Sequence, residues 1–106
     1  MTNYLLVMTT VPDPEVGQII AEKVIEERLA ACVTQSSAGQ SLYWWQEKIT
    51  QDQECILFIK TTKEAYLRLE KTILQIHPYD VPEIIALPIA AGSKEYLKWI
   101  DRETRT

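Results

Sequence analysis

One stretch limits this chain more than any other. Residues 41–61, SLYWWQEKITQDQECILFIKT, set Tyr43, Trp44 and Trp45 in consecutive positions and end in the apolar run Cys55-Ile56-Leu57-Phe58-Ile59. In a strand, alternation puts Tyr43 and Trp45 on one face and Trp44 on the other. The second run divides the same way, with Cys55, Leu57 and Ile59 on one face and Ile56 and Phe58 on the other. A strand that is apolar on both faces is usually a buried one. The stretch is expected to form a long antiparallel hairpin that turns near Gln46-Glu47-Lys48. It does so without an Asn-Gly or Asp-Gly signal. Such a ribbon is too long and too apolar for one small domain to cover. The sequence therefore speaks first about assembly.

The chain has 106 residues, enough for one domain spanning residues 1–106. A domain of this size leaves roughly a third of its unfolded surface exposed, so oligomerisation would help it. Apolar content of 46% and charged content of 25% are ordinary for a globular protein. A net charge of -4 argues against nucleic acid or an anionic membrane as partner. No apolar run approaches the length of a membrane span. The segment MTNYLLVMTT has neither a basic region nor a long apolar core, so no signal peptide is expected and the location is read as cytoplasmic. Cys32 and Cys55 then read as two reduced, buried thiols.

The remaining elements follow from local signals. Asn3 to Thr10 is a short apolar strand. Asp13 can cap a helix that Pro14 begins and Glu15 favours by charge, running to about Leu29. Its stripe is Ile20, Ala21, Val24 and Ile25. Ala30 to Gln35 is the second strand, interrupted by a bulge or loop at residues 36–40 before it resumes into the hairpin. Thr61 and Glu64 have capping-box spacing for a second helix with the stripe Ala65, Tyr66, Leu69, Ile73 and Ile76. That helix must end before Pro78. Pro78 and Pro82 stiffen the next connection. Ile84 to Ile89 is a last strand, and Pro88 confines it to a sheet edge or its end. Ser93 caps a final helix with Tyr96, Leu97 and Ile100 as contacts. The order is the split βαβ pattern of an α+β, ferredoxin-like sandwich, with two edges and one sheet face left for another copy of the chain to cover.

LAACV (29–33), SLYWW (41–45), ECILFIKT (54–61) and HPYDVPEI (77–84) occur in the order and spacing of the CutA family, the divalent-cation tolerance proteins. The chain resembles that family over nearly its whole length. The resemblance implies a homotrimer similar in architecture to PII-type proteins, and an association with metal ions such as copper. In the family, copper ligands are proposed at a first-strand cysteine and at paired histidines before the Pro-Tyr. Here those positions hold Thr9 and Ile76, and only His77 remains. Two routes to a metal site stay open: three copies of His77 meeting in the trimer, or His77 joined by Glu83 and the distant thiol of Cys32. Either is expected to hold copper or another divalent cation only weakly, with no other cofactor. Glu47 stands where the family usually has glycine, so the turn there should be conformationally different or strained.

Two readings of the aromatics also stay open. Tyr43, Trp44 and Trp45 can fill a subunit contact. Alternatively, they can line an inter-subunit cleft on which Glu54, Lys60, His77 and Tyr79 converge. Enzyme signatures are missing: there is no phosphate loop, no Cys-His-acid spacing and no nucleophile elbow. The first function reading is a non-catalytic, trimeric cytoplasmic protein of metal tolerance. The alternative is a PII-like sensor that binds a small molecule or anion between subunits and signals to a protein partner.

Overall fold

The structure is a computed structural model and describes residues 3–105. The signal-peptide reading rests partly on Met1 and Thr2, which lie outside the described residues. The elements are β1 (Tyr4–Val11), α1 (Pro14–Glu26), β2 (Cys32–Gln35), β3 (Gly39–Trp45), β4 (Lys48–Thr62), α2 (Tyr66–Ile76), β5 (Ile84–Pro88) and α3 (Lys94–Glu103). All strand pairs are antiparallel, and the sheet order is β2-β4-β1-β5 with β3 pairing the free half of β4. The result is the expected α+β sandwich. Strand β5 pairs only with β1, so Pro88 sits on an edge where its missing N–H costs no ladder bond.

Alternation along β4 builds the core. Cys55, Leu57 and Ile59 face the helices and are buried beside Val7 and Val11 of β1. Ile20 and Val24 of α1 and Leu69 and Ile73 of α2 close over them. The stripe on α1 is narrower than expected on one side: Ile25 is exposed, and the buried Gly17 takes its share. Gln35 packs so close to Gly17 that a Cβ there would come within 1.9 Å of its Oε1, so any larger residue at this position requires the end of the Gln35 side chain to move aside.

Helix α1 is capped as the sequence indicates, with Val16 N–H donating to Asp13 Oδ1 over 2.9 Å and Pro14 in the first turn. Its end differs. The helix stops at Glu26, and Arg28 adopts a left-handed conformation at φ 60. Leu29 N–H reaches Val24 O, and Arg28 N–H reaches Ile25 O. This is a Schellman end with arginine where glycine is usual. It drops Leu29 into the core, where a continued helix would not place it.

The second helix also begins differently. Thr61 belongs to β4, paired with Leu5, and its hydroxyl donates to Leu29 O over 2.6 Å. The ladder claims Thr61 and the capping box does not form. Thr62 Oγ1 instead accepts from Ala65 N–H, and the helix starts at Tyr66. At α3, Ser93 caps as expected and Ile100 is buried.

The interruption between β2 and β3 is a bulge by count. Gln35 pairs with Leu57 and Gly39 with Glu54, so three residues face two. Ser36 closes the gap: its Oγ accepts from Ile56 N–H and its own N–H donates to Ile56 O. The bulge bends the ribbon away from the main sheet. Beyond it, Leu42, Trp44 and Ile49 share one face and are well exposed, Trp44 at 72%. The projection explains a radius of gyration of 14.3 Å, against about 13 Å for a compact chain of this length.

Candidate functional site

The ribbon's other face carries Ser41, Tyr43, Trp45, Asp52 and Glu54. Their common side follows from strand alternation, and it continues the sheet face that β1 shows through Thr10. Opposite them runs the connection after α2. His77 ends that helix: its N–H donates to Ile73 O, and Pro78 forbids another turn. Residues 78–83 then stand against the ribbon. A groove of about 720 Å³ lies between, with Thr10 at its base and Pro78, Tyr79, Asp80, Val81 and Glu83 along the second wall.

Three contacts fix the geometry. Tyr79 OH donates to Glu54 Oε2 over 2.7 Å. Tyr43 OH donates to Asp52 Oδ2. His77 holds the second wall to β1: its Nδ1 accepts from Tyr79 N–H at 3.1 Å and its Nε2 lies 2.8 Å from Thr10 O. Nδ1 is an acceptor, so the proton sits on Nε2 and donates to the carbonyl. The two rings stack at 4.8 Å in a tilted arrangement. Glu54 is a carboxylate at 8% exposure whose one charge-assisted bond comes from a phenol. Burial first, and then the Glu54 bond, push the Tyr79 hydroxyl well above the ordinary tyrosine range. The Asp52 bond raises the Tyr43 hydroxyl in the same direction.

Within one chain, only some of the residues expected at an inter-subunit cleft come together. Tyr43, Trp45, Glu54 and Tyr79 converge on the groove. Trp44 points from the opposite ribbon face. Lys60 lies six positions beyond Glu54, about 20 Å along the strand, where its Nζ sits 5.8 Å from the Tyr96 ring. His77 braces the wall from behind. Asp52, Asp80 and Thr10 were not anticipated. The signal for Asp52 was its i, i+2 spacing to Glu54, which puts both carboxylates on one strand face.

The proposed metal residues do not come together within one chain. Cys32 pairs with Lys60 and Thr10 pairs with Ile56 on the two flanks of β4. Cys32 and the His77 ring are therefore separated by four positions along that strand, about 13 Å. Both ring nitrogens of His77 are engaged, the first-strand Thr9 is sealed in the core, and among the described residues no three His, Cys, Asp or Glu side chains gather as a metal would need. These residues do not fit an intra-chain copper site. Cys32 also departs from its expected burial, because it faces away from the helices beside Thr34 and Lys60 and is half-buried; only Cys55 is a core thiol.

A ferredoxin-like sandwich whose split second strand extends into a twisted ribbon, flanked by a His-Pro-Tyr turn, defines the architectural class. The family model described as CutA1 divalent ion tolerance protein matches residues 5–103. The divalent-cation tolerance protein CutA of Thermus thermophilus is 48% identical over 99 residues, 93% of this chain and 96% of that protein. The chloroplastic CutA 1 protein of Oryza sativa is 43% identical over 95% of this chain, which spans only 57% of the rice protein's length. Among solved structures, the Thermus thermophilus protein superposes with a TM-score of 0.94 at 46% identity, covering 96% of this chain and 99% of the other. CutA1 from Oryza sativa gives 0.95 at 41% identity, covering 98% and 95%. The chain belongs to the CutA1 divalent ion tolerance family.

Proposed function

We propose that this chain serves divalent-cation tolerance as a cytoplasmic homotrimer that assembles through its ribbon and performs no catalytic turnover. The observation that carries the reading is the exposure of Leu42, Trp44 and Ile49 together on one ribbon face. Large apolar groups aligned on a projecting element are what an interface core requires. The stoichiometry of three comes from the family resemblance. Copper(II) or another divalent cation binds weakly in this reading, because His77 must give up a hydrogen bond to become a ligand. Light scattering at micromolar concentration tests the assembly: the expected mass is three times the 12.2 kDa of one chain, and a monomeric mass would refute it. The alternative of an anion sensor fares poorly at this groove, which Asp52, Glu54, Asp80 and Glu83 line. Four carboxylates repel an anion.

A further inference from the structure

We propose that the groove between the ribbon and residues 78–83 binds a small organic ammonium ion. The inference goes beyond the assembly reading: the groove is lined by residues of one chain, on the ribbon face opposite Trp44.

Two independent features of the lining select this chemistry. The first is aromatic. Tyr43 and Trp45 on one wall and Tyr79 on the other line a single concave space. Aromatic faces attract cations through the ring quadrupole, and more strongly where the site is desolvated. The second is a buried, under-compensated charge. Glu54 is more than nine-tenths buried, and its hydrogen bond comes from the neutral Tyr79 hydroxyl. A buried carboxylate ordinarily needs a cationic partner. The ion pairs among the described residues, Lys23–Glu27 and Arg28–Glu103, lie elsewhere. Among the described residues no Lys or Arg lines the groove, and the nearest basic residue along the ribbon is Lys48, opposite Trp45 at the turn.

The same features disfavour other occupants. An anion meets carboxylates. A hard inorganic cation would want several converging oxygens, whereas one oxygen each of Asp52 and Glu54 is held by a phenol. The volume of about 720 Å³ also suits an organic ion better than a bare metal. A quaternary or substituted ammonium satisfies both walls: charge toward Glu54, and methyl or methylene surface toward the rings.

Choline is the probe, followed by tryptophan fluorescence and calorimetry on the assembled protein. Its uncharged isostere 3,3-dimethylbutanol is the control, because it matches shape without charge. Saturable choline binding is expected, with a dissociation constant on the order of a millimolar or tighter, and none from the isostere. Glu54→Gln should weaken binding by about tenfold. Glu83→Gln, at an exposed position, should weaken it by a few fold. Glu95→Gln on α3 should leave it unchanged. Equal binding of choline and its isostere would overturn the proposal, as would no saturation by tens of millimolar, or displacement of choline by stoichiometric copper(II). Loss of trimer with choline binding retained would count against the assembly reading alone.

Discussion

The Tyr79 hydroxyl donates to Glu54 Oε2 over 2.7 Å, and this one bond joins the connection after α2 to the ribbon. It also sets a pH dependence. The Tyr79 hydroxyl titrates above its ordinary value in the fold and near 10.0 once unfolded. The folded state therefore keeps a proton that the unfolded chain has lost. The stability this contributes is complete below about pH 10 and is lost as pH rises through the folded value. Tyr4, Tyr43 and Tyr66 are raised too, so the alkaline decline is shared. Tyr79→Phe should make that decline shallower and cost about 1–2 kcal/mol at neutral pH, because it leaves Glu54 without its donor. Urea midpoints from pH 7 to 11 measure both. An unchanged alkaline slope would mean that neither burial nor the Glu54 bond raises the Tyr79 hydroxyl in solution.

The ribbon turn supplies a second test. Gln46 and Glu47 form a two-residue loop between the paired Trp45 and Lys48, with φ of 49 and 68. Both values are left-handed, as a type I′ hairpin requires, and neither residue is one that turn favours. Of the two outcomes expected for glutamate in a glycine position, a different turn or a strained one, the left-handed φ at Glu47 is the strained one. Glu47→Gly should stabilise the chain by about 0.5–1 kcal/mol, the relief of a left-handed side chain less the added freedom of the unfolded state. Chemical denaturation reads the gain. A loss would mean that Glu47 makes a compensating contact at the tip.

Assembly gives a third. Trp44 is the most exposed of the three ribbon aromatics and contributes nothing to the core. Trp44→Ala should leave the circular dichroism spectrum of the fold intact while dissociating the oligomer. Trp99→Ala, at a residue stacked on Tyr96, should not. Interface anchors of this kind are worth about 2 kcal/mol or more each. The wild-type melting midpoint should rise with protein concentration, and that dependence should vanish in Trp44→Ala. A midpoint independent of concentration in a reversible wild-type transition would sink the coupling of folding to assembly.

Much of this was legible in the residues, and the exceptions have causes. Caps at Asp13 and Ser93 act over three residues, so their spacing announced two helix starts. The Thr61-Glu64 box failed because Thr61 had a competing use in a ladder with Leu5, and local spacing cannot see a partner 56 residues away. The end of α1 was overrun because arginine in a left-handed position gives no glycine-like signal. The groove was half legible. Tyr43, Trp45, Glu54 and Tyr79 were found as aromatics and acids near one another in type. Lys60 does not join them within one chain, since sharing a strand face does not bring residues six positions apart together. Asp80 belongs to a connection whose path depends on His77 reaching Thr10, a contact spanning 67 positions.

Copper gives the last prediction. The ring of His77 donates through Nε2 to Thr10 O and accepts at Nδ1 from Tyr79 N–H. A copper ion needs a lone pair on imidazole nitrogen, so it must displace one of these bonds. Displacing the first leaves a main-chain carbonyl without its donor, and displacing the second frees the turn that carries Tyr79. Each loss costs about 1–3 kcal/mol where the group stays buried. The unfolded chain carries no such cost and also exposes the thiol of Cys55, which the fold buries. Copper(II) should therefore bind the folded protein no more tightly than about micromolar. It should also lower the melting midpoint, because it binds the unfolded chain better. Calorimetry on chelator-treated protein and a copper titration of the midpoint check the two statements. A stoichiometric nanomolar isotherm that disappears in His77→Ala, with a raised midpoint, would show that copies of His77 meet in the assembly and release their intra-chain bonds to do so. Binding that survives His77→Ala and is lost in Cys32→Ser would move the ligand to the half-buried thiol beside Lys60.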